Sequence, residues 1–275
     1  GFYPPPPGAS DIIGLECSGR IAAVGEGVTG WSIGDEACAL LAGGGYAEKV
    51  AVPGGQVMPL PPGVDLATAA SIPEVAATVW SNLIEVARLQ PGERFLVHGG
   101  AGGIGSFAIQ FAKAIGAEVC ATAGGPEKLQ QCRDLGADYV IDYRNEDFVE
   151  VLTALGGADV ILDNMAAKYL ERNIAALAPD GRLVIIGMQG GVRGELNIAN
   201  LLTKRGSVAA TSLRSRPTAD KARVCEGVVR DVWPLVASGA IRTMVSREFA
   251  LDDVAAAHEL LDSGDASGKL LLRVS

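Results

Sequence analysis

The sequence has few of the side chains that bind metals or form disulfides. Its 275 residues include five cysteines and two histidines, and no two cysteines form C-x-x-C. Five scattered cysteines argue against a disulfide framework, and two isolated histidines cannot build the usual zinc cluster by themselves. We therefore expect reduced thiols, as in the cytoplasm, and no bound metal. His98, at the tip of a predicted strand, is interpreted as a hydrogen-bonded structural histidine.

Excess positive charge and long apolar runs are absent as well. The formal net charge is −9, which argues against nucleic acid or an anionic membrane as the main partner. No apolar run approaches the roughly 18 residues that a membrane-spanning helix needs, and no basic signal sequence opens the chain. The sequence thus indicates a soluble cytoplasmic protein.

Glycine, in contrast, is abundant, and the pattern G-x-G-x-x-G occurs twice, at residues 25–30 and 100–105. This pattern is typical of a loop that binds the pyrophosphate of a dinucleotide, but only between a strand and a helix. The first copy follows a strand-like run at 20–24 and leads to another turn and another short strand. We interpret it as a loop that joins two strands.

The second copy has the required neighbours. A short apolar run at 94–98 precedes it, helical periodicity follows until Gly116, and a second strand is predicted from residue 118. Strand, loop, helix and strand fill about 30 residues, the size of a βαβ unit. The pattern predicts that the loop and the helix N-terminus bind a dinucleotide pyrophosphate, through Ala101, Gly102, Gly103 and Ile104.

The rest of the chain divides into segments by the pattern of predicted strands and helices. Residues 1–72 contain short strands, including 46–52, between turns, and indicate a mostly β, antiparallel module. A helix is predicted at 74–89, and strands then alternate with helices, which is the signature of a doubly wound parallel sheet. The six predicted strands are 94–98, 118–122, 138–142, 158–163, 182–187 and 207–212. The fold class is therefore α/β, with a dinucleotide-binding domain at 73–216.

Residues 217–275 break this alternation again. They predict a helix at 219–237, then a strand, a capped helix and a final strand. We expect this tail to return to the first module, so that 1–72 and 217–275 together form a substrate domain into which the sheet domain is inserted.

The end of the second predicted sheet strand indicates which nucleotide binds. An NAD-specific loop places an acidic residue there to hold the ribose 2′-hydroxyl, but this strand ends at Thr122-Ala123-Gly124-Gly125. Gly124 leaves room for a 2′-phosphate, Lys128 can reach back to it, and Tyr143 can add a hydroxyl donor. The pattern favours NADPH, although Lys128 on its own also suits an ordinary solvated helix position.

Several motifs in order resemble the medium-chain dehydrogenase/reductase superfamily, and within it the zinc-free, zeta-crystallin-like quinone oxidoreductases. They are GFYPPPPGASDIIGLECSGRI, GDEACALLAGGGYAEKV, HGGAGGIGSFAIQFAKAIGAEV, TAGGPEKLQQCRDLGADYVIDY, GRLVIIGMQGG, TSLRSR and GKLLL. The resemblance implies a Rossmann domain and a GroES-like substrate domain. Zinc-dependent members carry G-H-E where this chain has Gly14-Leu15-Glu16, and leucine cannot bind zinc. Relatives also begin roughly 50 residues earlier, which would leave unpaired sheet edges in a shortened substrate domain.

The resemblance also implies site residues. It places Tyr3 at the active-site mouth, as a donor to a substrate oxygen or as a packing residue before the prolines. Glu16 and Glu74 fall in segments typical of the family, where structural carboxylates are expected. The positions that would border the cofactor are Met188, Leu213, Arg214, Ser215, Ser267 and Lys269. Arg214 also suits a solvated basic turn.

These residues predict hydride transfer from NADPH to a quinone or related α,β-unsaturated carbonyl, which requires alignment and oxyanion stabilisation but no metal. An enoyl-thioester or alkenal reductase, and an inactive NADPH-binding protein, remain as alternatives. The apolar last strand, 207–213, predicts a homodimer, because exposed strand edges pair and relatives join two sheets there.

Overall fold

The computed structural model of the protein describes residues 4–264, 266 and 268–274. Tyr3 and Ser267, two of the residues singled out above, lie outside the described residues. The chain divides into two compact units. The first unit consists of two segments, the chain up to Trp80 and the chain from Ser212 onward. The second unit, Ser81–Thr211, is inserted between these segments in the sequence.

The strands and helices are numbered in chain order. The strands are β1 (Glu16–Arg20), β2 (Glu36–Leu40), β3 (Val57–Pro59), β4 (Arg94–Val97), β5 (Glu118–Ala123), β6 (Tyr139–Asp142), β7 (Ala158–Asp163), β8 (Leu177–Ile185), β9 (Ser207–Ala210), β10 (Val245–Ala250) and β11 (Lys269–Arg273). The α-helices are α1 (Leu66–Ala69), α2 (Pro73–Trp80), α3 (Gly103–Ala114), α4 (Pro126–Asp134), α5 (Phe148–Ala154), α6 (Leu170–Ala176), α7 (Ile198–Lys204), α8 (Thr218–Asp231), α9 (Trp233–Ala237) and α10 (Val254–Ser263).

The second unit is built on a six-stranded sheet in the order β6-β5-β4-β7-β8-β9, in which every neighbouring pair is parallel. This order confirms the predicted doubly wound α/β fold, and each of the six predicted strands contributes one member. The central strands are buried almost throughout, as expected for strands covered by helices on both faces. β8 begins earlier than predicted, because Leu177 already pairs with Ala158.

The first unit holds a three-stranded antiparallel sheet, β1-β2-β3, and a separate parallel pair, β10-β11. Its mostly β character is confirmed. The run predicted at 20–24 is a strand only at Arg20, the last residue of β1. The run predicted at 46–52 is not a strand, because no strand of the described residues pairs with it. The amide of Tyr46 instead donates to the carbonyl of Ile13.

Two predicted helices are also divided. The helix expected at 74–89 is α-helical only over Pro73–Trp80 and continues as a π-helix over Ser81–Val86. The helix expected at 219–237 is broken at Val232, between α8 and α9, because Pro234 lacks an N–H and its ring clashes with the preceding turn. Within the described residues, no helix is both long enough and apolar enough to cross a membrane.

The first glycine pattern, 25–30, lies in the connection between β1 and β2, which pair antiparallel. No helix follows it before β2. The interpretation of this copy as a loop between two strands is therefore confirmed.

The second glycine pattern lies between β4 and α3, where the chain folds tightly on itself. A Cβ on Gly105 would collide with the carbonyl oxygen of Gly99 and lie 2.7 Å from the Cα of Gly100. A Cβ on Gly100 would lie 2.8 Å from the Sγ of Cys132. Only glycine permits this approach, which sets α3 directly against the end of β4.

We expect Gly105→Ala to destabilise the second unit by about 1–3 kcal/mol, because the added methyl group overpacks a backbone contact that cannot move aside. Helix propensity alone would predict a gain from the same change. The matched control is Gly19→Ala, where a Cβ meets nothing within 4 Å. Urea unfolding monitored by circular dichroism measures both variants, and equal stability of the two would contradict the role given to Gly105.

Candidate functional site

The glycine loop provides backbone donors at the carboxyl end of β4. Gly102 is the N-cap of α3 and no side chain caps the helix, so the first amides of α3 have no partner within the helix. Gly102 itself is exposed and Ala101 is buried. The predicted positions 101–104 therefore form a helix N-terminus that no side chain of the described residues caps, an arrangement that suits a phosphate.

A second group of predicted residues meets where β5 and β6 end. The Tyr143 hydroxyl lies over Gly124, 2.5 Å from where a Cβ would be. Lys128 follows in the first turn of α4, whose N-cap is Gly125. The structure adds Arg144, which the sequence analysis missed: its Nε lies 2.9 Å from the same Cβ position.

Arg144 gave only a weak signal in the sequence, as the residue after Tyr143 in an exposed loop. It comes to Gly124 because β5 and β6 are parallel neighbours, with Ala123 paired to Asp142. The Asp142 carboxylate accepts from the Arg144 amide at 3.1 Å and from the Asn145 side chain at 2.8 Å. These bonds lower the pKa of Asp142 and hold the loop that presents Arg144.

The loops after β7 and β8 lie against each other. The amide of Gln189 donates to the carbonyl of Asn164 (3.1 Å), and that of Gly190 to Met165 (2.8 Å). Met188, predicted to border the cofactor, lies in the second of these loops and accepts from the Gly191 amide. Asn164 follows β7 next to β4, where the strand order reverses and where ligands bind in such sheets.

Asn164 is a further residue that the sequence analysis missed. Its Oδ1 is buried and has no hydrogen-bond partner among the described residues. The preceding Asp163 holds the loop: its carboxylate accepts from the amides of Met165 (2.8 Å) and Ala166 (2.9 Å). Burial nevertheless raises the pKa of Asp163 to about 6.

His98 is part of the same sheet edge but not of an open surface. Its Nε2 donates to the Oδ1 of Asn173 at 2.8 Å, and its Nδ1 lies 3.1 Å from the hydroxyl of Thr122. Burial lowers the pKa of His98 to about 4, so the ring stays neutral. The interpretation of His98 as a hydrogen-bonded structural histidine is confirmed.

In the first unit, Lys269 forms an ion pair with Glu16. The other oxygen of Glu16 accepts from the amide of Glu74 at 2.9 Å, and Glu74 accepts from the hydroxyl of Thr78 at 2.9 Å. Burial raises the pKa of Glu74, although the positive charge of Lys269 acts in the opposite direction. The negative charges of Glu16 and Glu74 in turn raise the pKa of Lys269. The ion pair of Lys269 with Glu16 thus connects β11 to β1.

The segment after β9 forms a turn in which Arg216 donates its amide to Leu213. Arg214 Nε donates to the carbonyl of Ala42 at 2.9 Å, and the Ser215 hydroxyl bonds Ser212 at 3.4 Å. Arg214 and Leu213 line a small cavity inside this unit. The Arg214 side chain therefore contacts residues of the first unit and is not freely solvated.

Nothing in the described part of the chain forms a group of three or more metal-binding side chains. Leu15 stands at the position of the zinc-ligating histidine of G-H-E and has no donor atom. The thiols are also unsuited to reaction, because burial raises the pKa of Cys17 to about 11 and of Cys38 to about 12.

The sheet edge of the second unit fits a phosphorylated dinucleotide. It offers an uncapped helix N-terminus, an exposed glycine and a cationic and a phenolic group at Gly124. It also offers the amide oxygen of Asn164, which has no partner in the part of the chain that the structure describes. All of them lie at the carboxyl ends of parallel strands.

Comparisons with known proteins agree with this arrangement. Residues 103–226 match the zinc-binding dehydrogenase family, and residues 1–62 match the alcohol dehydrogenase GroES-like domain. The Escherichia coli quinone oxidoreductase, solved in complex with NADPH, is 31% identical, with a TM-score of 0.87 over 100% of this chain and 85% of that chain. This chain belongs to the medium-chain dehydrogenase/reductase superfamily.

Two further relatives widen the range of activities found among similar proteins. The JamJ enoyl reductase is 26% identical, with a TM-score of 0.84 over 96% of this chain and 79% of that chain. A phenolphthiocerol/phthiocerol polyketide synthase from Mycobacterium tuberculosis is 32% identical over 100% of this chain. The chain spans only 13% of the length of that synthase.

Membership of the medium-chain superfamily confirms the resemblance seen in the sequence and makes the fold that of an oxidoreductase family. It does not by itself identify the acceptor, because the relatives include both quinone oxidoreductases and an enoyl reductase.

Proposed function

We propose that this protein is an NADPH-dependent reductase that transfers hydride to a quinone or a related α,β-unsaturated carbonyl without a metal. The observation that carries the proposal is that Tyr143 and Arg144 lie at Gly124, with Lys128 in the first turn of α4, where β5 ends without an acidic residue. The complex of the similar Escherichia coli quinone oxidoreductase with NADPH supports it.

Each group at the sheet edge has a task in this proposal. The amides at the start of α3 bind the pyrophosphate, and Arg144, Lys128 and the Tyr143 hydroxyl bind the 2′-phosphate. The amide oxygen of Asn164 provides an acceptor beside the glycine loop. NADPH, when bound, supplies the hydride and its electron pair, so the chain itself must only orient the reactants and exclude water.

The remaining predicted residues belong to the other unit. We propose that Tyr3 donates to the acceptor oxygen, and that Leu213, Arg214, Ser215, Ser267 and Lys269 border the cofactor. Glu16 supports this border indirectly, because its ion pair with Lys269 fixes the start of β11.

An enoyl thioester is the second candidate acceptor, and the relatives favour it specifically. They include a polyketide synthase and an enoyl reductase. The chemistry is closely related, because an enoyl thioester also accepts hydride at the carbon β to a carbonyl.

We expect Lys128→Ala and Arg144→Ala each to weaken NADPH binding by about ten- to a hundredfold and to leave NADH binding almost unchanged. Each removes a charged hydrogen bond, worth about 1.5–3 kcal/mol, to a phosphate that NADH lacks. Fluorescence titration of both nucleotides measures the effect, and Lys204→Ala, in α7 of the same unit, is the matched control. Equal losses for NADPH and NADH would show that these residues do not read the 2′-phosphate.

Turnover with a panel of acceptors tests the reaction. We expect NADPH oxidation with a quinone or an enone, unchanged by a metal chelator, because Leu15 cannot bind zinc. A preference for an enoyl thioester would favour the second candidate. Tight NADPH binding without turnover of any acceptor would instead indicate a cofactor-binding protein that is not an enzyme.

We also propose a homodimer formed through β9. This strand ends the sheet order and pairs with β8 alone, and the neighbouring α7 exposes Ile198 and Leu202. Unpaired strand edges favour pairing with another chain. Sedimentation equilibrium at micromolar concentration should give twice the chain mass, and a monomer would rule the proposal out.

A further inference from the structure

A small cavity inside the first unit is lined by a cation, Lys221, that the proposed function has not used. Its volume is about 20 Å3, which is room for one water molecule or a single ligand oxygen. Apolar walls with a few convergent polar groups are typical of ligand sites. The lining residues are Leu15, Leu40, Leu41, Glu74, Leu213, Arg214 and Lys221.

Lys221 is the unusual member of this lining. The residue is only 5% exposed, yet within the part of the chain that the structure describes its ammonium has no ion pair and no hydrogen-bonded side chain. Lysine is almost never fully buried without a partner, and an unpaired buried charge is costly. The buried Lys269 of the same unit, in contrast, is neutralised by Glu16.

The surroundings of Lys221 make its positive charge more costly still. Burial lowers the pKa of Lys221, and the nearby guanidinium of Arg214 lowers it further, against a small opposing effect of Cys225. Lys221 is also the fourth residue of α8, near the helix end that favours anions over cations. The acid in the lining, Glu74, forms no ion pair with it and has a raised pKa.

A cation that the fold leaves without a counter-charge is suited to an anion that arrives with the ligand. Leu15, the residue at the zinc-ligand position of G-H-E, is part of the same wall. The cavity therefore contains two cationic side chains beside a position where zinc-dependent relatives have a metal ligand.

We propose that Lys221, with Arg214 beside it, binds and protonates the carbonyl oxygen of the acceptor as negative charge develops there. This role rests on the proposed hydride transfer and supplies the electrophile that a metal would otherwise provide. It makes Lys221 a catalytic residue and Arg214 a second source of positive charge.

With an enone, hydride leaves a C–H bond of the reduced nicotinamide and forms a C–H bond at the β-carbon. The C=C electron pair becomes a new double bond between the α-carbon and the carbonyl carbon, and the carbonyl π pair moves onto the oxygen, which gives an enolate. The dihydronicotinamide is oxidised and the acceptor is reduced by two electrons. The N–H bond of the Lys221 ammonium then breaks as an O–H bond forms, and the neutral amine regains its proton from water. A lowered lysine pKa favours this transfer.

The experiment compares three variants in the full chain. Lys221→Met removes the charge at similar volume, and Lys221→Arg keeps the charge but cannot give up a proton. Lys49→Met is the matched control, because Lys49 is exposed in the same unit. We expect Lys221→Met to lower kcat for enone reduction by about 10²–10³-fold, the usual effect of losing an oxyanion donor, with unchanged NADPH affinity. Lys49→Met should keep wild-type kcat.

A second measurement needs no turnover. 4-Nitrophenol, whose phenolate resembles the oxyanion, is titrated by absorbance against wild type and variants. We expect Lys221→Met to weaken phenolate binding by about ten- to a hundredfold, and Lys221→Arg to retain it while losing turnover. The melting temperature of Lys221→Met should be unchanged or higher, because removing an unpaired buried charge does not destabilise a fold.

The outcomes separate this proposal from the proposed function. If the wild type turns over and Lys221→Met keeps full activity and full phenolate binding, the role of Lys221 is overturned and the proposed reductase activity stands. A wild type without turnover, whose phenolate binding still depends on Lys221, would overturn the reductase but support the oxyanion site. A marked fall in melting temperature for Lys221→Met would show that the ammonium is structural and would overturn the proposal.

Discussion

The second unit depends on a single backbone contact, where Gly105 in α3 meets Gly99 at the end of β4. Because no side chain separates them, the helix begins directly at the end of the strand. The first amides of α3, which no side chain caps, therefore lie at the sheet edge, while the loop amides of Gly99 and Gly100 are bonded to Thr122. The other features of this edge, such as Gly124 and Asn164, can contribute to one site only because the parallel sheet ends all of its strands on the same side.

The placement of charge separates two kinds of cation among the described residues of this chain. Lys269 is largely buried but paired with Glu16, and Arg182 is paired with Glu93, so both complete internal contacts. Arg144 is exposed beside a glycine, and Lys221 is buried with no counter-charge in the described residues. Cations of the second kind contribute little to the stability of the fold, and a ligand anion would give each of them a partner.

Much of the fold followed from local patterns. The parallel sheet was predicted from the apolar strands, the helical spacing after Gly103 and the alternation of six strands with helices. These patterns are visible in the sequence because strand burial and helix amphipathicity depend on the spacing of apolar residues that are close in the chain. The same local reasoning failed at residues 46–52, where the alternating pattern is present but the described residues form no partner strand. It failed also at Val232, because it did not take account of Pro234. It failed again at the start of β8, which depends on pairing with β7.

The sequence by itself determined the fold class and the glycine loop, and it predicted Gly124, Lys128 and Tyr143 as binding residues, because these lie in short motifs whose chemistry is local. Only the tertiary structure brought Arg144 to Gly124, left the amide oxygen of Asn164 without a partner among the described residues and enclosed Lys221 beside Arg214. A lysine in the first turns of a helix looks solvated in any sequence, since burial and the lack of a counter-charge depend on residues far away in the chain.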